Sequence, residues 1–222
     1  MRASKAFMIV IGCVAFVLTG CGSTPDFVAK TEPWRAAAEH ACLASGSVRP
    51  GPFIVERSGL GGPRHCGAIR PFKVSAALHG AVSLKPSATL RCPMIPAVDR
   101  WFYEVVQPAA QYYFGQPVIG VKVAASYSCR PINHVRGSKL SEHGRANAID
   151  ISAFTLADGR KLSVKHGWRG EARPSGFLRS VHKGGCRIFS TVLGPNYNRR
   201  HHDHFHLDLG RHGRNGTYRV CK

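Results

Sequence analysis

The 222-residue chain sets 31 lysines and arginines against 12 aspartates and glutamates, a formal net charge of +19. Such an excess attracts polyanions, but no nucleic-acid-binding motif accompanies it, and nucleic acid is set aside as a partner. The other account of the charge, a basic surface that serves solubility, stays open at this stage.

In chain order, Arg2 and Lys5 give a positive start, and an apolar run from Ala6 to Leu18 ends in Leu18-Thr19-Gly20-Cys21. That layout is a signal peptide over residues 1–20, too short for a comfortable membrane span. The tetrapeptide resembles a bacterial lipobox, in which Cys21 is lipidated and becomes the new N-terminus. Gly22, in place of Asp, points by resemblance to Gram-negative lipoproteins towards the outer membrane. A lipid on Cys21 would anchor a periplasmic domain without making it a spanning protein. Loss of Arg2 and Lys5 with the leader lowers the formal charge by two, to +17. The polyanions met there are peptidoglycan peptide carboxylates and lipid phosphates. Residues 21–32 are expected to be a short lipidated tether, and residues 33–222 one domain, acting as a monomer.

A helix is expected from Pro33 to Leu43, with Pro33 in the first turn and Trp34, Ala38 and Ala41 on one side. Between Ser45 and Pro86 short strands broken by turns are expected, Phe53–Val55 and Phe72–Val74 among them, with a loop from Gly59 to Pro63. Pro93 to Phe114 is the clearest helix. Val98, Trp101, Phe102, Val105 and Ala109 recur at helical spacing, and Pro108 bends or divides it. An apolar strand follows from Pro117 to Ala125, then a polar loop from Pro131 to Leu140. A second strand is expected over Asn147–Phe154, with Asp158-Gly159 as a hairpin turn into Arg160–Val164. The pattern over Ser175–Phe189 predicts a helix, and a loop from Leu193 to Asn198 leads into a histidine-rich strand. The class is α+β, a small antiparallel sheet flanked by helices.

With Cys13 in the leader and Cys21 lipidated, Cys42, Cys66, Cys92, Cys129, Cys186 and Cys221 remain. An even number in an exported chain implies disulfides, and six cysteines allow fifteen pairings. Three bridges are expected: Cys186–Cys221 around the histidine strand, and the first four among themselves in a pairing the sequence leaves open.

The chemistry concentrates in two segments, Ser141-Glu142-His143 running on to Ala148-Ile149-Asp150, and His201-His202-Asp203-His204-Phe205-His206-Leu207-Asp208-Leu209. Successive strand side chains face opposite ways. His204, His206 and Asp208 therefore share one face while Phe205, Leu207 and Leu209 take the other. Asp150 likewise parts from Ile149 and Ile151. His143, Asp150 and His206 together offer the three protein ligands of a catalytic zinc site with an open fourth position. His204, beside His206 on the same face, is placed to act as general base. Arg130 and His202 are candidates to steady an oxyanion or a substrate carboxylate.

These residues, Ser141-x-His143 with Ala148-x-Asp150 and His204-x-His206, resemble the zinc-peptidase superfamily of lysostaphin-type enzymes, D-Ala-D-Ala metallopeptidases and hedgehog. More closely, the chain resembles the bacterial extensin-like domain family. The likeness runs through Cys92-Pro93, Trp101, Gln107-Pro108-Ala109-Ala110, Ser126-Tyr127-Ser128-Cys129-Arg130, Leu140 to His143, Leu193-Gly194-Pro195, His202 to His206 and Cys221. The resemblance implies a hedgehog-like or D-Ala-D-Ala-peptidase-like fold, with His143, Asp150 and His206 on zinc and His204 as a catalytic histidine. It further implies a peptidase, specifically an endopeptidase on peptidoglycan cross-links. A non-catalytic wall-binding lipoprotein that keeps the metal is the alternative. Two positions depart from the pattern. Ala146 stands where relatives commonly have glycine. Where other superfamily members have a glutamate base, this chain has Asp203 and His204, which leaves the base open among His202, Asp203 and His204.

Overall fold

A computed structural model describes residues 26–63 and 65–222. The expected signal peptide and the lipidation site Cys21 lie outside the described residues. Nine strands form one sheet: β1 (Ile54–Glu56), β2 (Phe72–Ala77), β3 (Val82–Leu90), β4 (Val118–Ala125), β5 (Ala148–Leu156), β6 (Lys161–Ser163), β7 (Thr191–Leu193), β8 (Phe205–Asp208) and β9 (Val220–Cys221). Their order is β1-β2-β3-β4-β5-β8-β7-β9. The ninth, β6, pairs with β5 at residues 153–155, beyond the stretch 148–151 that β8 occupies.

The class is α+β as the patterns predict, but the sheet is neither small nor wholly antiparallel. The pairs β3–β4 and β7–β9 are parallel, and the rest are antiparallel. Three of the strands escaped the pattern, each for a physical reason. Pro86 breaks the sequence signal of β3, yet the ladder to β4 ends at Lys85 and the ladder to β2 resumes at Ala88. A residue without an N–H therefore falls in a gap where no donor is needed. β7 and β9 are three and two residues long, too short to display alternation.

Five helices flank the sheet among the described residues. The first, α1 (Pro33–Ala44), turns Arg35 and Glu39 inward, not the Trp34, Ala38 and Ala41 side. Its seat is ionic: Glu39 pairs with Arg91 at 2.9 Å, both side chains almost wholly buried. Cys42 on the same helix is bonded to Cys92. The long helix is divided into α2 (Met94–Trp101) and α3 (Gln107–Phe114) by a π-helical turn, Phe102–Val106. Pro108 cannot donate to the carbonyl four residues back and its ring crowds it, and the wider turn just upstream relieves that crowding. The extra residue also moves the buried face, so Val106 and Ala110 enter the core.

Asp158-Gly159 makes the expected hairpin, with Gly159 at φ 86° and Asp158 Oδ1 accepting the Arg160 N–H at 2.9 Å. The strand after it stops at Ser163, and Val164–Gly167 is a short helix, α4. The last helix, α5 (Ala172–Gly185), begins and ends earlier than the pattern predicts. It closes on Gly184 against α2–α3, where a Cβ would stand 2.2 Å from Val105 Cγ1. Trp101, Phe102, Phe154, Phe177, Phe189 and Phe205 fill the core between helices and sheet. Cys66–Cys129 and Cys186–Cys221 complete three disulfides.

Residues 26–32, expected as a free tether, are a docked strap. Val28 donates to the Ser138 carbonyl at 2.9 Å and accepts from Leu140 at 2.8 Å. Phe27 is buried with Cys66 and Leu140. Phe27, with Ala29 partly buried beside it, accounts for this, because burial of these side chains removes apolar surface from water.

Candidate metal centre

Strands β5 and β8 set the site. Their antiparallel register places Asp150 opposite His206 and Ala148 opposite Asp208. Ile149, Ile151, Phe205 and Leu207 point into the core, so pleating leaves Asp150, His206 and Asp208 on the cleft face. His143 arrives from a separate 3-10 turn, Glu142–Arg145, whose first peptide is capped by Ser141 Oγ accepting from the His143 N–H at 3.3 Å. The turn ends at Ala146 in the left-handed region (φ 50°, ψ 28°), where a larger side chain is strained and glycine is not.

The three candidate ligands converge. His206 Nδ1 lies 2.9 Å from Asp150 Oδ1 and 3.2 Å from His143 Nε2, and His143 Nε2 lies 3.2 Å from Asp150 Oδ2. The outer nitrogens are committed elsewhere: His143 Nδ1 donates to the Ser126 carbonyl at 2.5 Å, and His206 Nε2 donates to Asp208 Oδ2 at 2.8 Å. A carbonyl can only accept, which fixes the proton of a neutral His143 on Nδ1; both nitrogens of His206 face carboxylates, and with Asp150 engaged by a cation its proton goes to Nε2, towards Asp208. Two lone pairs and a carboxylate then face one another in a buried space, an arrangement that calls for a cation. Ligands about 2.0–2.1 Å from a tetrahedral centre stand roughly 3.3–3.4 Å apart, close to the observed separations. Imidazoles held through their far nitrogens are the usual support of such ligands. The residues fit a divalent metal ion.

Burial disfavours a charged His206, but hydrogen bonds and charge from Asp150 and Asp208 outweigh it and raise its pKa to about 10. Asp150, although burial opposes its ionisation, is held well below the usual carboxylate range by His143 and His206. Asp208 is also held low against burial, by His206, the Gly210 N–H and Thr191. Asp208 was visible in the alternation of the strand; its role as the partner of His206 was not.

The neighbouring histidines separate clearly. His204, half-buried, has Nε2 3.7 Å from Asp150 Oδ2 and Nδ1 2.9 Å from Asp203 Oδ1. His202 is exposed, with Nδ1 on the Arg199 carbonyl at 2.8 Å, and lies outside the cleft. The 3-10 turn Arg199–His201 turns consecutive residues to different sides, so His201 faces inward instead. Its ring is 5.3 Å from that of His204 and its Nδ1 donates to Asn198 Oδ1 at 2.8 Å. Burial, then the charges of His206 and His204, lower its pKa to about 4. The sequence reading missed His201 because strand alternation does not extend into that turn.

These groups line a cleft of about 970 Å³ that also includes Arg130, Asp203 and the strap residues Val28 to Glu32. Arg130 is half-buried, and among the described residues its guanidinium makes one hydrogen bond, to the Pro131 carbonyl at 3.3 Å. Burial lowers its pKa, and the charge of Asp150 opposes that effect. A second cluster, His182 with Cys186 and Cys221, is no metal centre, since both sulfurs are consumed in a disulfide. Among the described residues no helix is long and apolar enough to cross a membrane.

Residues 40–222 match the family described as "Extensin-like protein C-terminus". No curated protein and no solved structure matches the chain.

Proposed function

The chain belongs to the extensin-like protein C-terminus family, and on that footing we propose that it is a metal-dependent peptidase acting on peptidoglycan peptides. The observation that carries the reading is the buried convergence of His143, Asp150 and His206 on the floor of a wide cleft. The relation to the wider zinc-peptidase superfamily, and zinc as the metal, are part of the proposal.

In this reading His143 Nε2, Asp150 and His206 Nδ1 hold the ion. A bound zinc would supply Lewis acidity towards a peptide carbonyl and lower the pKa of a water in its open position. Proton movement falls to His204. Asp203 holds the Nδ1 proton of that ring, which leaves the Nε2 lone pair directed towards the centre. Arg130, on the wall of the same cleft and without a carboxylate partner among the described residues, is placed to bind a carboxylate of the substrate. His201, neutral above about pH 4, adds an uncharged wall next to His204.

The envelope setting follows from the expected lipidation of Cys21, which places the domain in the periplasm at the outer membrane. Five residues from Cys21 to Asp26 reach at most about 18 Å, so the strap and the cleft behind it would stay close to the lipid surface. Two measurements on the mature protein test the reading. Metal analysis should find about one ion per chain, and incubation with purified sacculi should release cleaved cross-linked peptides. Sacculus binding without any released peptide would turn the reading into a non-catalytic, metal-keeping wall-binding protein. Absence of bound metal would remove both.

A further inference from the structure

We infer that the strap Phe27–Glu32 is a working wall of the cleft, and that Glu32 is a positioning residue for the turn that presents His143. The inference rests on the reading of His143 as a ligand and adds a residue that neither the motif nor the matched stretch, which begins at residue 40, contains.

The Glu32 carboxylate sits between two guanidiniums. Its Oε2 accepts from Arg35 Nε at 2.9 Å and lies 3.2 Å from Arg145 Nη2. Each of those arginines controls one end of the same four-residue turn. Arg35 grips Glu142 with both terminal nitrogens, at 2.7 and 2.6 Å. Arg145 is itself the last residue of the turn and also reaches the Lys30 carbonyl at 3.2 Å. His143 stands between the two grips. One carboxylate on the strap thus ties both ends of a ligand-bearing turn to the wall of the cleft.

The charges show why the tie is needed. Arg35 and Arg145 are buried like charges, each side chain 9 % exposed, and Glu32 Oε2 pairs with both, at 2.9 and 3.2 Å. Without Glu32, Arg35 would keep Glu142 but Arg145 would lose its ion-pair partner and retain only the Lys30 and His65 carbonyls, so its end of the turn would loosen. His143 has little slack: its outer nitrogen is held by the Ser126 carbonyl and its inner one is shared with Asp150 and His206. The strap is anchored independently through Phe27 and the Val28 pairing, so Glu32 has a fixed base from which to act.

The test uses the full mature chain and zinc alone as probe. Glu32→Ala is expected to weaken zinc binding about tenfold, the lower end of what supporting partners of ligands contribute. Glu32→Gln, which keeps hydrogen bonds but not the charge, should recover part of the loss. Arg145→Ala should weaken binding as well, and the double variant should be no worse than the poorer single one, because both act through one tie. Hydrogen exchange gives a readout that needs no metal: the Gly144, Ala146 and Asn147 amides should exchange faster in Glu32→Ala while β5 amides do not. Unchanged zinc affinity and turn exchange in Glu32→Ala, additive losses in the double variant, or exchange that rises evenly across the sheet would overturn the inference. A wild-type chain that binds no zinc would remove the metal reading instead, and the exchange comparison would still decide the role of the strap.

Discussion

His204 and His206 are two residues apart on one face, yet the structure gives them different surroundings. His206 is enclosed by Asp150, Asp208 and His143, whereas His204 touches the centre from the side and leans on Asp203. Replacement of His143, Asp150 or His206 by alanine should therefore abolish both metal retention and peptide release. His204→Ala should keep the metal and lose about 10²–10⁴-fold in cleavage rate, the usual worth of general acid–base catalysis. A metal-free His204→Ala protein would make that residue a ligand, and full activity would move the base to Asp203. The raised pKa of His206 has a second consequence, for the metal-free protein. A folded pKa of about 10 against an ordinary 6.5 means that the protonated ring contributes stability below about pH 6.5 and loses it as the pH rises towards 10. Thermal melts of chelator-treated protein should fall through that window, while zinc-loaded protein, whose ion replaces the proton, should hold level there. A flat profile in the absence of metal would show that His206 is not charged. At this scale the sequence exposed the shared face of Asp150 and His206 well, because alternation along a strand is a local property. It could not expose Ser126, which serves through a backbone carbonyl, or Arg35, which meets Glu142 across 107 residues, or Glu32, which meets Arg145 from the strap.

Elements that the sequence misjudged are those whose burial is polar or whose length is minimal. The seat of α1 illustrates the first kind: a hydrophobic periodicity search reads Trp34, Ala38 and Ala41, and the helix instead buries Arg35 and Glu39. The Arg91–Glu39 pair is almost wholly enclosed, and Arg91 also donates to the Arg35 carbonyl. Glu39→Ala would leave a buried guanidinium without its counterion, and breaking such a pair costs about 3–5 kcal/mol. Denaturant unfolding should show that loss; a loss under about 1 kcal/mol would mean that the Cys42–Cys92 bond and the Arg35–Glu142 pair hold α1 without the Glu39 pair. Because Arg91 also donates its N–H to the Ala146 carbonyl at 2.8 Å, the variant should weaken metal retention too. Helix α2 and strands β4 and β5 were legible because their faces are apolar and long enough to show a period. The division of the long helix was legible from Pro108, but the π-helical form of the break was not, since it depends on how the crowded carbonyl is accommodated and not on the identity of one residue.

For the whole molecule, the unresolved question in the composition is whether the excess of positive charge, +17 in the expected mature chain, serves binding or only solubility. The structure separates two classes of charged group. Arg35, Arg91 and Arg145 are buried and paired inside the fold, whereas Arg199 and Arg200 are exposed and Arg200 lines the cleft. Salt distinguishes them. The screening length shortens from about 10 Å at 0.1 M to about 3 Å at 1 M, and buried groups are screened far less than exposed ones. If the surface charge recruits the protein to the acidic wall, binding to purified sacculi should weaken at least about tenfold between 0.05 and 0.5 M salt, as long-range attraction is lost. Metal retention should not change over the same range, because its ligands are enclosed. Cleavage of a small soluble cross-linked peptide should change little as well, since such a substrate meets only the cleft. Sacculus binding that ignores salt would assign the basic surface to solubility and leave recognition to the cleft alone. Parallel loss of binding and of metal would instead mean that salt opens the fold, and the three disulfides, which each typically contribute about 2–4 kcal/mol, argue against that outcome.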